Sequence, residues 1–207
     1  MKTNLFIAAL SLVVLAGCSS EDEVGTLVAK NDNVINFTTY VGKQTKAAVE
    51  GTALPAKAEF GVFAYNTKEA LWNASATSAT PNFMYNQKVT FDGANYTYSP
   101  VKYWPNAEKV SFIGYYPFPT ETNGVSVSST FTNKSTGLPK IEFTIPSSEN
   151  GVTDLLVSTV ANDKSKETVS LTFQHVLSKV KFSAQTIAEG STVTINTITL
   201  TGIKNGG

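Results

Sequence analysis

From residue 33 onward the chain rarely spaces apolar residues three and four apart, as one face of a helix requires; it spaces them two apart. The run 34–41 sets the pattern, with Ile35, Phe37, Thr39 and Val41 on one face and Asn36, Thr38 and Tyr40 on the other. Further runs rich in Val, Ile, Thr, Phe and Tyr occur at 60–65, 83–91, 110–116, 125–131, 141–145, 155–160, 169–173, 176–184 and 193–203. Gly, Pro, Asn and Asp separate them. Asp92-Gly93 reads as a tight turn into Tyr96-Thr97-Tyr98. The run 110–116 looks buried on both faces and ends at Pro117. Only 68–76 carries a weak helical pattern. Short strands at this spacing predict an all-β sandwich. The run 193–203 reads as a long strand with nothing after it to close its edge, so a partner covers it or the chain continues.

The first residues obey different rules. Lys2 gives a positive start, and 5–15 is apolar but shorter than the ~20 residues a spanning helix needs. Leu15-Ala16-Gly17 then precedes Cys18, the only cysteine. This is a lipobox pattern: small residues fit a signal peptidase, and the thiol behind them accepts diacylglycerol. Residues 1–17 are therefore expected to be a signal peptide, with Cys18 the lipidation site that ties the mature chain to a membrane. Residues 18–32, opening on Ser19-Ser20-Glu21-Asp22-Glu23, read as a flexible acidic tether.

Composition removes several kinds of chemistry. Apolar residues reach 42%, enough for a core, while charge is only 15% and nets to zero. With no basic patch, nucleic acid is not an expected partner. Every cationic side chain but His175 is Lys, so the bidentate clamps that guanidinium groups make on phosphate or carboxylate are excluded. One His and one Cys give little material for zinc or Cys/His catalysis, and Cys18 has no partner for an intrachain disulfide. No phosphate loop, dinucleotide fingerprint or nucleophile elbow appears. His175, within Phe173-Gln174-His175-Val176, reads better as a hydrogen-bonded histidine at a strand end than as a catalytic base. Glu142 and Asp154 flank strands, but no spacing selects them as a glycosidase pair. Asp32 and Asp163 lie near Asn without an alternating calcium loop, and read as turn residues. No enzyme activity, cofactor or metal site is expected. Tyr96, Tyr98, Tyr103, Trp104, Tyr115 and Tyr116 form either a core with its rim or an exposed platform for sugars, the core being favoured.

Several phrases then occur in a telling order: Val34-Ile35-Asn36-Phe37, Thr45-Lys46-Ala47, Phe60-Gly61-Val62-Phe63-Ala64-Tyr65, Phe83-Met84-Tyr85-Asn86-Gln87, Tyr98-Ser99-Pro100-Val101-Lys102-Tyr103-Trp104-Pro105, Ser111-Phe112-Ile113-Gly114-Tyr115-Tyr116-Pro117, Asp154-Leu155-Leu156-Val157 and Phe173-Gln174-His175-Val176 onward to Phe182. The series resembles the fimbrillin-like (Mfa-like) proteins of the Bacteroidetes, subunits of type V pili and related surface lipoproteins. The resemblance implies a transthyretin-like β-sandwich over 33–184, with 185–207 a further strand opening a second domain. It implies a fimbrial subunit, lipidated at Cys18 and held at the outer membrane, whose partners are other fimbrial subunits and host or bacterial surface ligands. The acidic run after Cys18 resembles the signal that sends such lipoproteins to the outer surface. Proteolysis is implied at Lys46-Ala47, releasing the strand whose face is Ile35, Phe37, Thr39 and Val41 and opening a groove for a neighbour's strand. Studied relatives are cut after Arg, which this chain lacks, so an Arg-specific protease could not process it. The alternative reading is a non-polymerising, glycan-binding surface lipoprotein.

Overall fold

A computed structural model describes residues 33–42, 52–145, 154–178, 182–183, 192–199 and 201–202. The strands are β1 (Phe37–Val41), β2 (Glu59–Lys68), β3 (Met84–Phe91), β4 (Tyr96–Thr97), β5 (Lys109–Tyr116), β6 (Val125–Val127), β7 (Ile141–Phe143), β8 (Leu156–Ser158), β9 (Ala161–Lys164) and β10 (Val169–His175). The one helix among the described residues, α1 (Trp72–Ser75), is a single turn within the weak helical stretch.

The main sheet runs β1-β10-β8-β5-β2-β3-β4, with β9 also on β5, and β6 pairs separately with β7. Every pairing is antiparallel except β1 with β10, which is parallel. β2 and β5 lie at its centre, and both their faces are covered, so they read as continuous apolar runs. Phe60, Val62 and Ala64 of β2 join Val110 and Phe112 of β5 in one core; Phe63, Tyr65, Ile113 and Tyr115 point into another. The first core is enclosed because the sheet curls: Thr39 Oγ1 of β1 lies 2.8 Å from the hydroxyl of Tyr96 in β4, so the two ends of the strand order meet. The second core is roofed by Trp72 of α1, by Val125 and Phe143 of β6 and β7, and by Phe131. The result is the all-β sandwich that the spacing predicts.

Local sequence explains the close approaches. Gly61 faces Tyr115 across the β2–β5 ladder, and a methyl at Gly61 would stand 2.1 Å from Tyr115 Cε1. The phenol ring occupies the space a side chain would take. Its hydroxyl donates to Asn86 Oδ1 at 2.5 Å. Asn86 sits in a β-bulge of β3 at φ +46°, a left-handed conformation that Asn tolerates.

Some strands differ from expectation. β6 stops at Val127, because Phe131 N–H turns back to the Ser128 carbonyl at 2.9 Å and swings its ring under the sheet. β10 ends at His175, and Val176–Ser178 lie outside any strand. β9 was not legible: Ala-Asn-Asp-Lys has poor strand propensity, and it joins the ladder only through Ala161 opposite Phe112 and Lys164 opposite Val110, with an irregularity between them where Asp163 takes φ +55°. Residues 192–199 lie in no strand among the described residues, and Val193, Ile195 and Ile198 are exposed.

Candidate functional site: the β1 edge and its groove

Among the described residues β1 ends the strand order, and β10 is its single strand neighbour. The register runs from Phe37↔Val169 to Val41↔Phe173. The contact is extended at both ends, where Val169 N–H donates to the Asn36 carbonyl at 2.8 Å and Gly42 N–H to the Phe173 carbonyl at 2.9 Å. The opposite side of the strand meets irregular chain. Val34 bridges Tyr103, Ile35 N–H donates to the Lys102 carbonyl at 3.0 Å, and Val41 N–H to the Thr52 carbonyl at 3.0 Å.

The four residues expected on one face of this strand line up toward the first core. Ile35 and Val41 are fully buried, Phe37 is 5% exposed and Thr39 is half-buried. The Phe37 ring packs edge-on against Tyr98, Phe112 and Phe60, with centroids 5.6, 5.9 and 6.5 Å away. Such edge-to-face pairs add to the area they bury. Two tyrosines, which sequence reasoning grouped only as aromatics, finish the groove with polar contacts. Tyr98 donates its hydroxyl to the Ile35 carbonyl at 2.7 Å, and Tyr96 meets Thr39 as described. Their i, i+2 spacing beside the Asp92-Gly93 turn places both on the inner face, a signal the sequence carried. Burial pushes the Tyr98 hydroxyl above its ordinary value of 10.0 despite a contact with the Lys102 backbone that lowers it; nearby Tyr103 raises it further.

The other sequence candidates separate. Cys18, Lys46 and Ala47 lie outside the described residues, as does Asp32. His175 Nδ1 is 2.8 Å from Asp154 Oδ2, with side chains 1% and 7% exposed, so this pair ties the end of β10 to the residue before Leu155 and β8. Glu142 lies instead 3.6 Å from Lys140 on the surface. Asp163 Oδ1 accepts from Trp72 N–H at 2.9 Å, a helix-end contact. Trp104 and Tyr115 are buried and Tyr96, Tyr98 and Tyr116 half-buried; only Tyr103 of that group is exposed, at 51%. The aromatic cluster is therefore core, not platform.

Known proteins resemble this chain over the same ground. Fimbrium subunit Fim1C of Phocaeicola vulgatus is 30% identical over 192 residues, covering 87% of this chain and 50% of the relative. The chain thus spans half the length of that curated relative. A fimbrial protein from Bacteroides vulgatus of known structure superposes with a TM-score of 0.53 at 26% identity, over 70% of this chain and 45% of that one. A fimbrial protein from Bacteroides ovatus is more distant, at TM-score 0.39 and 17% identity over 69% of this chain and 28% of that one, too remote to carry an argument. The family model described as fimbrillin-like matches residues 45–207. That match covers most of the chain, and the chain belongs to the fimbrillin-like family.

Proposed function

We propose that this chain is part of a fimbrial subunit exported as a lipoprotein through Cys18, cut at Lys46-Ala47, and assembled on the cell surface by β-strand exchange, where it serves adhesion. The observation that carries this reading is the double character of β1. Among the described residues it is peripheral to the ladder, with one strand neighbour, yet Ile35, Phe37 and Val41 are central to the core. Burying each such side chain stabilises by about 1.5–3 kcal/mol. Three of them rival the few kcal/mol that separate a folded domain from an unfolded one. A subunit stripped of β1 would need another strand in its place.

Chain connectivity supports the same reading. Val41 N–H reaches the Thr52 carbonyl, so both ends of the segment 43–51 that contains Lys46 are anchored beside one another. A cut within it leaves β1 in place by non-covalent contacts alone. The family match begins at residue 45, beyond β1 and next to Lys46. The glycan-binding alternative finds no support in the buried tryptophans.

The test is a denaturing gel of the native protein from the outer-membrane fraction, with and without boiling. Strand-exchanged polymers give a ladder that collapses on boiling, and Lys46→Gln should abolish both the cut and the ladder. A single band at the lipidated, uncut length under both conditions would overturn polymerisation.

A further inference from the structure

The two tyrosine hydroxyls in the groove touch β1 differently. Tyr98 contacts a backbone carbonyl, that of Ile35, and any strand supplies one. Tyr96 contacts a side chain, Thr39 Oγ1, and only some strands supply a hydroxyl there. The Tyr96 ring is also held firmly. It stacks on Phe91 with centroids 4.6 Å apart and an interplanar angle of 17°, and meets Phe60 edge-on at 6.0 Å. Its hydroxyl is thus aimed before any strand arrives.

Elsewhere the inner face of the groove is apolar, built from Phe60, Phe112, Val169, Leu171 and Phe173. Such a surface says little about register. A slip of one residue flips every side chain to the wrong face, but a slip of two preserves the alternation. On β1, a slip of two would bring Phe37 or Val41 against the Tyr96 hydroxyl and leave it without its partner.

We propose that Tyr96 sets the sequence and register of the strand that fills this groove, selecting a strand of another fimbrial subunit that carries a hydroxyl side chain at the Thr39 position between apolar residues two places away on either side. The inference rests on the strand-exchange reading above and names the partner's recognition feature.

The test uses the full chain with a protease site engineered into 43–51, cut, unfolded in urea and refolded with an excess of fluorescent peptide. One peptide copies 33–42; the others carry Thr39→Val or Thr39→Ser. Val matches Thr in shape but lacks the hydroxyl. The Thr peptide should bind about tenfold more tightly than the Val peptide, the ratio expected for one hydrogen bond and one deserted hydroxyl. The Ser peptide should keep most of the preference. In Tyr96→Phe the Thr-to-Val ratio should fall to about one; should that variant not fold, the peptide series on the parent chain decides alone. Equal binding of Thr and Val peptides to the parent chain would overturn the role of Tyr96 and leave strand exchange standing. Failure of every peptide to enter the groove would overturn strand exchange and this inference together.

Discussion

β1 and β5 both fill the first core, and they are held in opposite ways. β5 is bonded to β2 along one side and to β8 and β9 along the other, and is buried from Val110 to Tyr115. β1 has one strand neighbour among the described residues and buries Phe37 and Val41, with Ile35 just before it. Removing β5 would divide the sheet; removing β1 would only shorten it. Core contribution and ladder position are thus separate properties, and a strand rich in the first and poor in the second can leave without dividing the sheet.

A charge placed in each strand should separate the two. Phe37 and Phe112 touch each other in the same core, so the aspartates would enter similar surroundings. Phe112→Asp should abolish folding, since β5 cannot leave. Phe37→Asp should cost about 3–5 kcal/mol, as an unpaired buried charge does, with β1 free to detach and hydrate it. Added peptide copying 33–42 should restore the melting temperature of Phe37→Asp and not that of Phe112→Asp. An unchanged melting temperature for Phe37→Asp would mean that β1 is not packed in the core; equal losses without rescue would erase the distinction.

Two glycines offer a milder contrast. Gly61→Ala in β2 forces a methyl onto the Tyr115 ring, whose hydroxyl is fixed to Asn86, and should cost about 1–3 kcal/mol in urea unfolding. Gly42→Ala, at the end of β1, meets only the Phe173 carbonyl among the described residues, at 3.5 Å, an ordinary contact. Its effect should stay within about 0.5 kcal/mol. A larger loss at Gly42 than at Gly61 would show the edge to be the more rigid region.

What the sequence disclosed follows the same division. β1, β2, β3 and β5 were readable because their side chains answer to a core that the pattern of Phe, Val and Ile encodes locally. β9 was unreadable because Ala161–Lys164 is held in the sheet only by its irregular pairing with β5, a contact distant in the chain, and Asp163 within it takes φ +55°. The run 193–203 is rich in Val, Ile and Thr but splits its apolar residues between two faces, Val193 and Ile195 on one and Ile198 and Leu200 on the other, and 192–199 lie in no strand among the described residues. At the groove, alternation identified Ile35, Phe37, Thr39 and Val41. The curl that carries Tyr96 over to Thr39 was hidden, because it depends on the twist of the whole sheet and not on any segment.

The smallest effect concerns the hydroxyl that holds the β1 backbone. Tyr98→Phe keeps the ring against Phe37 and removes the hydrogen bond to the Ile35 carbonyl, which should cost about 1 kcal/mol at neutral pH. The cost should depend on pH in a defined direction. Burial raises the folded-state value of Tyr98 above the ordinary 10.0, so the folded protein keeps this proton where the unfolded chain has begun to lose it. The stability that Tyr98 contributes is therefore full below about pH 10 and declines as pH rises beyond it. Tyr98→Phe has no such proton to lose, so its deficit against the parent should narrow above pH 10. Tyr115→Phe should behave alike in the second core, where burial again raises the hydroxyl. The two variants should separate in the cut chain: Tyr98→Phe should release β1 faster, while Tyr115→Phe leaves its release rate unchanged. Release at the same rate in both would mean that Tyr98 serves the core in general, and that the β1 edge has no fastening of its own.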